Sequence, residues 1–206
     1  MEIERFVLGP FQTNTFLVTC PTSKTGIIID PAENSDRVAF EIEKLQIRLK
    51  YILLTHGHVD HIGGVAWLKH EYHAEVLLHE ADLPIIQTAS AYSQSLGLPA
   101  PAHFTHDKLV REDDIISTGS IEFRVLHTPG HTPGGVCYVN SDFIFAGDTL
   151  FAQSIGRTDL PGGNYDQIIS SIKDKLLTLP DHIQVFPGHG PATTIGNEKM
   201  FNPFLQ

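Results

Sequence analysis

Cysteine is nearly missing from this chain of 206 residues: Cys20 and Cys137 stand alone, with no CxxC and no paired spacing. A disulfide framework is therefore not expected, and both thiols read as small buried hydrophobes in a reducing compartment. Basic charge is scarce too. Lys and Arg number 14 against 24 Asp and Glu, a net charge of −10, so the basic stripe of a nucleic-acid surface is absent and the acidity serves solubility. No apolar run approaches the length that spans a bilayer. Residues 1–10 also lack a charged segment leading into an apolar one, so no signal peptide is expected and the expected compartment is the cytoplasm. With 41% hydrophobic and 18% charged residues, the composition is that of one globular domain over 1–206.

What the chain does contain is strands alternating with helices. Residues 15–19 and 26–30 are short, β-branched and bounded by Pro, Ser and Gly, a strand pair closed by Asp30-Pro31. Ser35-Asp36 offers a cap, and Val38, Ile42, Leu45 and Leu49 line one face of the helix that follows. A strand over 51–55, a helix over 64–73 and a strand over 75–79 come next. A helix is expected around 81–96, then a Gly-Leu-Pro-Ala-Pro loop suited to a lid or rim, with strands at 121–126, 136–140 and 142–146. Asn164 caps the last expected helix (Ile168, Ile172, Leu176, Leu179), and the strand 184–187 closes the series. The tail Asn202-Pro203-Phe204-Leu205 is expected to pack its aromatic onto the body. Phe16–Asp30 and Val136–Asp148 are both strand pairs ending in an aspartate, each followed later by a helix and a strand leading to His. The pattern predicts an α+β fold: an αββα sandwich of two mixed sheets flanked by helices.

One density has no structural use. Thr55-His56-Gly57-His58-Val59-Asp60-His61-Ile62-Gly63-Gly64 sets three imidazoles and a carboxylate within six residues. His131 and His189 recur in glycine-rich turns, and Asp148 sits between them in Ala-Gly-Asp-Thr. In extended backbone, His56 and His58 lean to one side, while Asp60 and His61 begin the next helix and point back. Five histidines and two aspartates suffice for two metal ions, and neutral imidazole with carboxylate suits zinc, manganese or iron alike. Structural zinc sites are closed and cysteine-rich, so seven N/O donors point to an open, reactive site. His70, His73, His79, His103, His106, His127 and His182 read as ordinary core or surface residues.

Together, Thr-His-x-His-x-Asp-His-x-Gly-Gly, Thr-Pro-Gly-His, Gly-Asp-Thr and Pro-Gly-His-Gly resemble, in this order, the metallo-β-lactamase-fold superfamily. Within it, the chain is most similar to the short glyoxalase-II-like (hydroxyacylglutathione hydrolase-like) enzymes. By that resemblance His56, His58 and His131 hold a first metal, Asp60, His61 and His189 a second, and Asp148 bridges both. The metals implied are two divalent ions, zinc first, with iron or manganese as alternatives. β-Lactamases of the main zinc class carry cysteine at the position of Asp148, so β-lactam hydrolysis is not expected. RNA-processing relatives need basic surfaces, and diiron flavoproteins carry Glu at the position of His58. Full-length glyoxalase II has a C-terminal helical domain that contacts glutathione; only residues 191–206 follow Gly190 here, so no such domain is expected.

The resemblance implies a metallohydrolase. Metal-bound hydroxide, held by Asp148 and oriented by Asp60, attacks an acyl carbonyl, most simply a thioester of the S-lactoylglutathione type. Arg157 is the candidate for binding an anionic substrate end, set against a loop-holding pairing with Asp159 or Asp166. The expected partner is a small-molecule thioester or glutathione conjugate, with no nucleic acid and no membrane, and the protein is taken as monomer or homodimer. A rival reading makes His56, His131 and Asp148 the facial triad of a mononuclear iron enzyme. Persulfide dioxygenases resemble the chain at Gly156-Arg157-Thr158-Asp159, although Ile155 stands where they carry cysteine. A non-catalytic metal-binding protein is the third reading.

Overall fold

The computed structural model describes residues 1–206. Its first sheet runs β1 (Glu2–Leu8), β2 (Thr13–Cys20), β3 (Thr25–Ile29), β4 (Arg48–Leu53), β5 (Glu75–His79) and β6 (Lys108–Val110), in that order across the sheet. The second contains β7 (Ile115–Thr118), β8 (Ile121–His127), β9 (Val136–Val139) and β10 (Phe143–Gly147). A small hairpin of β11 (Leu150–Phe151) and β12 (Ser154–Ile155) intervenes. The sheet is completed by β13 (Gln184–Pro187) and β14 (Thr193–Thr194), in the order β14-β13-β10-β9-β8-β7. Helices α1 (Asp36–Lys44), α2 (Val59–Ile62), α3 (Val65–Tyr72) and α4 (Leu83–Ser95) belong to the first half, α5 (Tyr165–Ser171) and α6 (Ile195–Phe201) to the second.

Strand alternation explains why there are four layers. Phe16, Val18, Ile27, Ile29 and Leu53 point to one side of their sheet and meet Phe123, Val125, Tyr138 and Phe145 of the other in a shared apolar layer. Their neighbours Leu17, Ile28 and Ile52 point the opposite way, onto Val38, Ile42, Val65 and Leu68 of α1 and α3. Across the molecule Cys137, Ile144 and Val185 do the same against Ile168, Ile172 and Ile195. The result is the αββα sandwich, with both sheets mixed: β3-β4-β5-β6 and β10-β13 are parallel, the other pairs antiparallel. The likeness between the halves survives as topology. In each, an antiparallel pair (β2-β3, β9-β10) is followed by a helix and a strand parallel to its second member (β4, β13).

Four expectations change. Leu49 belongs to β4, because α1 stops at Lys44 and Gln46 turns left-handed (φ 56°), so the apolar spacing runs on past the end of the helix. The helix capped by Asn164 loosens after Ser171 into a wider π turn over Ile172–Leu176. It is not the last helix, since α6 follows it. In the tail, Phe204 is 43% exposed, and Asn202 and Leu205 are the residues that pack inward. No helix is long and apolar enough to cross a membrane.

Candidate metal centre

All seven residues singled out in the sequence meet at one rim, where loops leave the carboxyl ends of β4, β8, β10 and β13. Parallel strands deliver their following loops to the same edge, which is why such edges collect sites. The loop after β4 carries His56 and His58, with ring centroids 4.8 Å apart, and the four-residue α2 carries Asp60 and His61.

Two triads result. In the first, His56, His58 and His131 bring ring nitrogens within 4.8 Å of one another, with His58 Nδ1 2.9 Å from His131 Nε2. In the second, His189 Nε2 lies 3.2 Å from Asp60 Oδ2 and 3.4 Å from His61 Nε2. Asp148 stands between them: Oδ1 is 3.5 Å from His61 Nε2, and Oδ2 is 3.5 Å from both His131 Nε2 and His189 Nε2. Gly188 makes that approach possible, because a Cβ there would lie 2.2 Å from Asp148 Oδ1. Gly147, at φ 48°, turns β10 sharply into Asp148.

Hydrogen bonds behind the rings fix which nitrogen faces inward. A carbonyl only accepts, so His131 Nδ1–H donates to Arg157 O (2.8 Å) and His189 Nδ1–H to Phe11 O (3.1 Å). Asp30, buried and left-handed at φ 49°, accepts from His61 Nδ1–H at 3.0 Å and from the Thr55 hydroxyl at 2.6 Å. With its proton so engaged, Thr55 Oγ1 accepts from His56 Nδ1–H at 3.1 Å. Four rings therefore turn Nε2 toward the centre, the arrangement that outer hydrogen bonds impose on metal-binding imidazoles.

Two atoms in this centre are stranded. His56 Nε2 and Asp148 Oδ1 are buried and no hydrogen bond satisfies them, an omission that costs roughly 1–3 kcal/mol for each such group. A divalent cation suits both, and the sulfur-free donor set suits zinc, iron or manganese. The electrostatics agree. Burial and neighbouring histidines hold His56 well below the ordinary imidazole range and His58 at about 3, so both are neutral and ready to donate. For His61, burial opposes the charge but Asp60, Asp148 and Asp30 outweigh it and hold the ring at about 9. His189 likewise overcomes burial through Asp148 and Asp60, reaching about 10.

Sequence reasoning missed Asp30, Thr13 and Asp82. Asp82, 1% exposed, accepts from Gly57 N (2.8 Å), the Thr132 hydroxyl (2.8 Å) and Gly134 N (2.6 Å), lacing the His56–His58 loop to the His131 loop. Thr13 donates to Asp60 Oδ2 at 3.2 Å. Only Asp30 left a trace, in its place at the end of a strand pair like that of Asp148. Arg157 faces outward, its guanidinium forked onto Asp159 at 2.7 Å through Nε and Nη2, while its carbonyl orients His131. The seven histidines read as ordinary stay outside both triads. Of the irregular stretch, Leu98–Ala102 form a wall of a cavity beside Asp60; Tyr92 borders a smaller space next to His58, and Phe104 packs on the core.

A family model described as the metallo-beta-lactamase superfamily matches residues 8–189. The chain belongs to that superfamily. It is 41% identical to hydroxyacylglutathione hydrolase GloC of Haemophilus influenzae, over 100% of this chain and 98% of the relative. Among superfamily structures, BLEG-1 B3 metallo-beta-lactamase superimposes with a TM-score of 0.92 at 37% identity, covering 100% of both chains. TTHA1623 in a di-iron-bound form gives a TM-score of 0.88 at 36% identity, covering 98% of this chain and 100% of the other.

Proposed function

We propose that the chain is a binuclear metallohydrolase acting on thioesters of the S-lactoylglutathione type. The observation that carries this reading is the position of Asp148, whose two carboxylate oxygens face histidines of both triads at 3.5 Å. His56, His58 and His131 would hold one ion, Asp60, His61 and His189 the other, and Asp148 would touch both. Ions so held lower the pKa of bound water to about 7 and polarise an acyl carbonyl. The chain's own part is orientation. Asp30, Thr55, Phe11 and Arg157 fix the rings through their outer nitrogens, and Thr13 fixes Asp60. In the reaction water adds to the carbonyl carbon, the C–S bond breaks, and the thiolate takes up a proton as it leaves.

The name of the Haemophilus relative, matched over the full chain, supports the substrate class. The test is hydrolysis of S-lactoylglutathione by protein of measured metal content, with a chromogenic cephalosporin as control. Two metals per chain and thioester turnover are expected. Turnover of the cephalosporin alone would sink the reading.

A second reading keeps the same residues for iron. His56, His131 and Asp148 do lie together, and a relative 36% identical to this chain has been solved in a di-iron-bound form, which favours iron as the metal but not a single ion. Oxygen uptake with a persulfide by iron-loaded protein would establish it, and no uptake removes it.

A further inference from the structure

A cavity of about 520 Å³ opens beside Asp60, along Val59, Asp60 and Gly63. It is large enough for part of a small-molecule substrate, and most of its wall is apolar: Trp67 and Ala66 of α3, Leu98 and the Pro99–Ala102 loop, and Phe11. Its ionisable side chains are Glu33, Asp60 and His70, of which Asp60 is a candidate metal ligand and His70 is hydrogen-bonded to Glu71; no Lys or Arg borders it. The smaller space across Val59, lined by His58, Tyr92 and Leu160, has no Lys or Arg either. Asp60 and Thr13, hydrogen-bonded to one another, are the wall that the larger cavity shares with the metal centre.

We infer that this cavity is the acyl subsite of the thioesterase proposed above, and that the group it takes is apolar and uncharged. The inference rests on the thioester reading and narrows it. A thioester has two arms, and the common biological thiols that form them, glutathione and coenzyme A, are anionic. A mostly apolar wall that bears Glu33 and neither Lys nor Arg gives such an arm no partner, and a buried unpaired charge is costly. The arm that fits is the acyl chain, packed on the Trp67 ring and the proline-rich loop. The thiol arm then lies outside this cavity.

The experiment uses thioesters of one uncharged thiol, N-acetylcysteamine, with acetyl, butyryl, hexanoyl and succinyl groups. From acetyl to hexanoyl, kcat/KM should rise about threefold to fourfold per methylene, the increment expected for burying apolar surface. Succinyl should fall at least about tenfold below butyryl, because its carboxylate would be buried on the apolar wall with no Lys or Arg to meet it. Ala66→Phe, which fills the cavity from α3, should cut the hexanoyl-to-acetyl ratio at least about tenfold. Trp67 is the only tryptophan in the chain, so it reports binding directly. S-Hexyl-N-acetylcysteamine, a thioether that cannot be hydrolysed, should shift its emission saturably, and Ala66→Phe should abolish the shift. Thioester turnover with a flat acyl series and an unmoved Trp67 signal would overturn the inference and leave the thioesterase standing. A saturable Trp67 shift without turnover of any thioester would overturn the thioesterase, and with it the acyl assignment.

Discussion

The two triads differ in how they are kept. His56, His58 and His131 are at most 9% exposed, and at least two of them are held neutral by burial and by one another. Asp60 and His189 keep 17% and 28% of their side chains exposed, and the second triad is an ion-pair cluster in which carboxylates hold His61 and His189 protonated near neutral pH. One site is preset by desolvation and the other by charge. The first should accept a cation with little rearrangement of protons, whereas the second must expel protons first. Asp148 belongs to both, which is why the largest expected effect is there. Asp148→Ala should lower thioester turnover by more than the about 10–100-fold typical of changes outside the ligand set, and metal per chain should drop below two. Full metal content with full activity would break the two-site description.

Acidity should separate the triads. With His189 at about 10 and His61 at about 9 before metal binding, each proton displaced makes zinc affinity at the second triad rise about tenfold per pH unit through pH 6–8. The sign follows from the raised values: protonated rings compete with the cation below those pH values, and competition fades as pH rises through them. His56 and His58 are already neutral across that window, so they give the first triad no such slope. Calorimetric titration of metal-free protein in buffers of different ionisation enthalpy counts the protons released at each step. Equal slopes at both steps would refute the contrast.

Asp82 touches only the first triad's loops. Asp82→Ala would orphan the Gly57 and Gly134 amides and the Thr132 hydroxyl, about 1–3 kcal/mol for each left unsatisfied. A lower melting temperature and an about 10–100-fold weaker first zinc are expected, with the second step unchanged. Asp82→Asn keeps an acceptor and should recover part of both. Loss at the second step instead would mean that the loops are coupled through Asp148.

That asymmetry also sets what was legible in the sequence. The seven inward-facing residues announce themselves because histidines crowd one turn and recur between glycines, and their order along the chain carries the family resemblance. Asp82 does not, since an acid leading into a helix is an ordinary feature and its three partners are 25, 50 and 52 residues away. Asp30 looked like the end of a strand, and its left-handed backbone is visible only in three dimensions. The layers could be read because β2, β3 and β10 are buried on both faces and carry the unbroken apolar runs Phe16-Leu17-Val18, Ile27-Ile28-Ile29 and Phe143-Ile144-Phe145-Ala146. β1 and β7, half-exposed at the sheet edges, and the short β6 lack that signal. α6 buries only Ile195 and Glu198, too little for an apolar stripe to show.

The smallest effect is expected at Thr13, the second triad's counterpart to Asp82. Its hydroxyl makes one 3.2 Å hydrogen bond to Asp60 Oδ2, while the same oxygen lies 3.2 Å from His189 Nε2. Thr13→Val keeps shape and burial but removes the donor. Asp60 would still be held by His189 and the ion, so the loss is one exchangeable hydrogen bond, about 0.5–1.5 kcal/mol. That corresponds to a roughly twofold to tenfold weaker second zinc, with the first step and the melting temperature of the metal-free protein nearly unchanged. A larger loss, on the scale of Asp82→Ala, would mean that the exposed triad is held by directed hydrogen bonds as well as by charge. The contrast between the triads would then be one of degree.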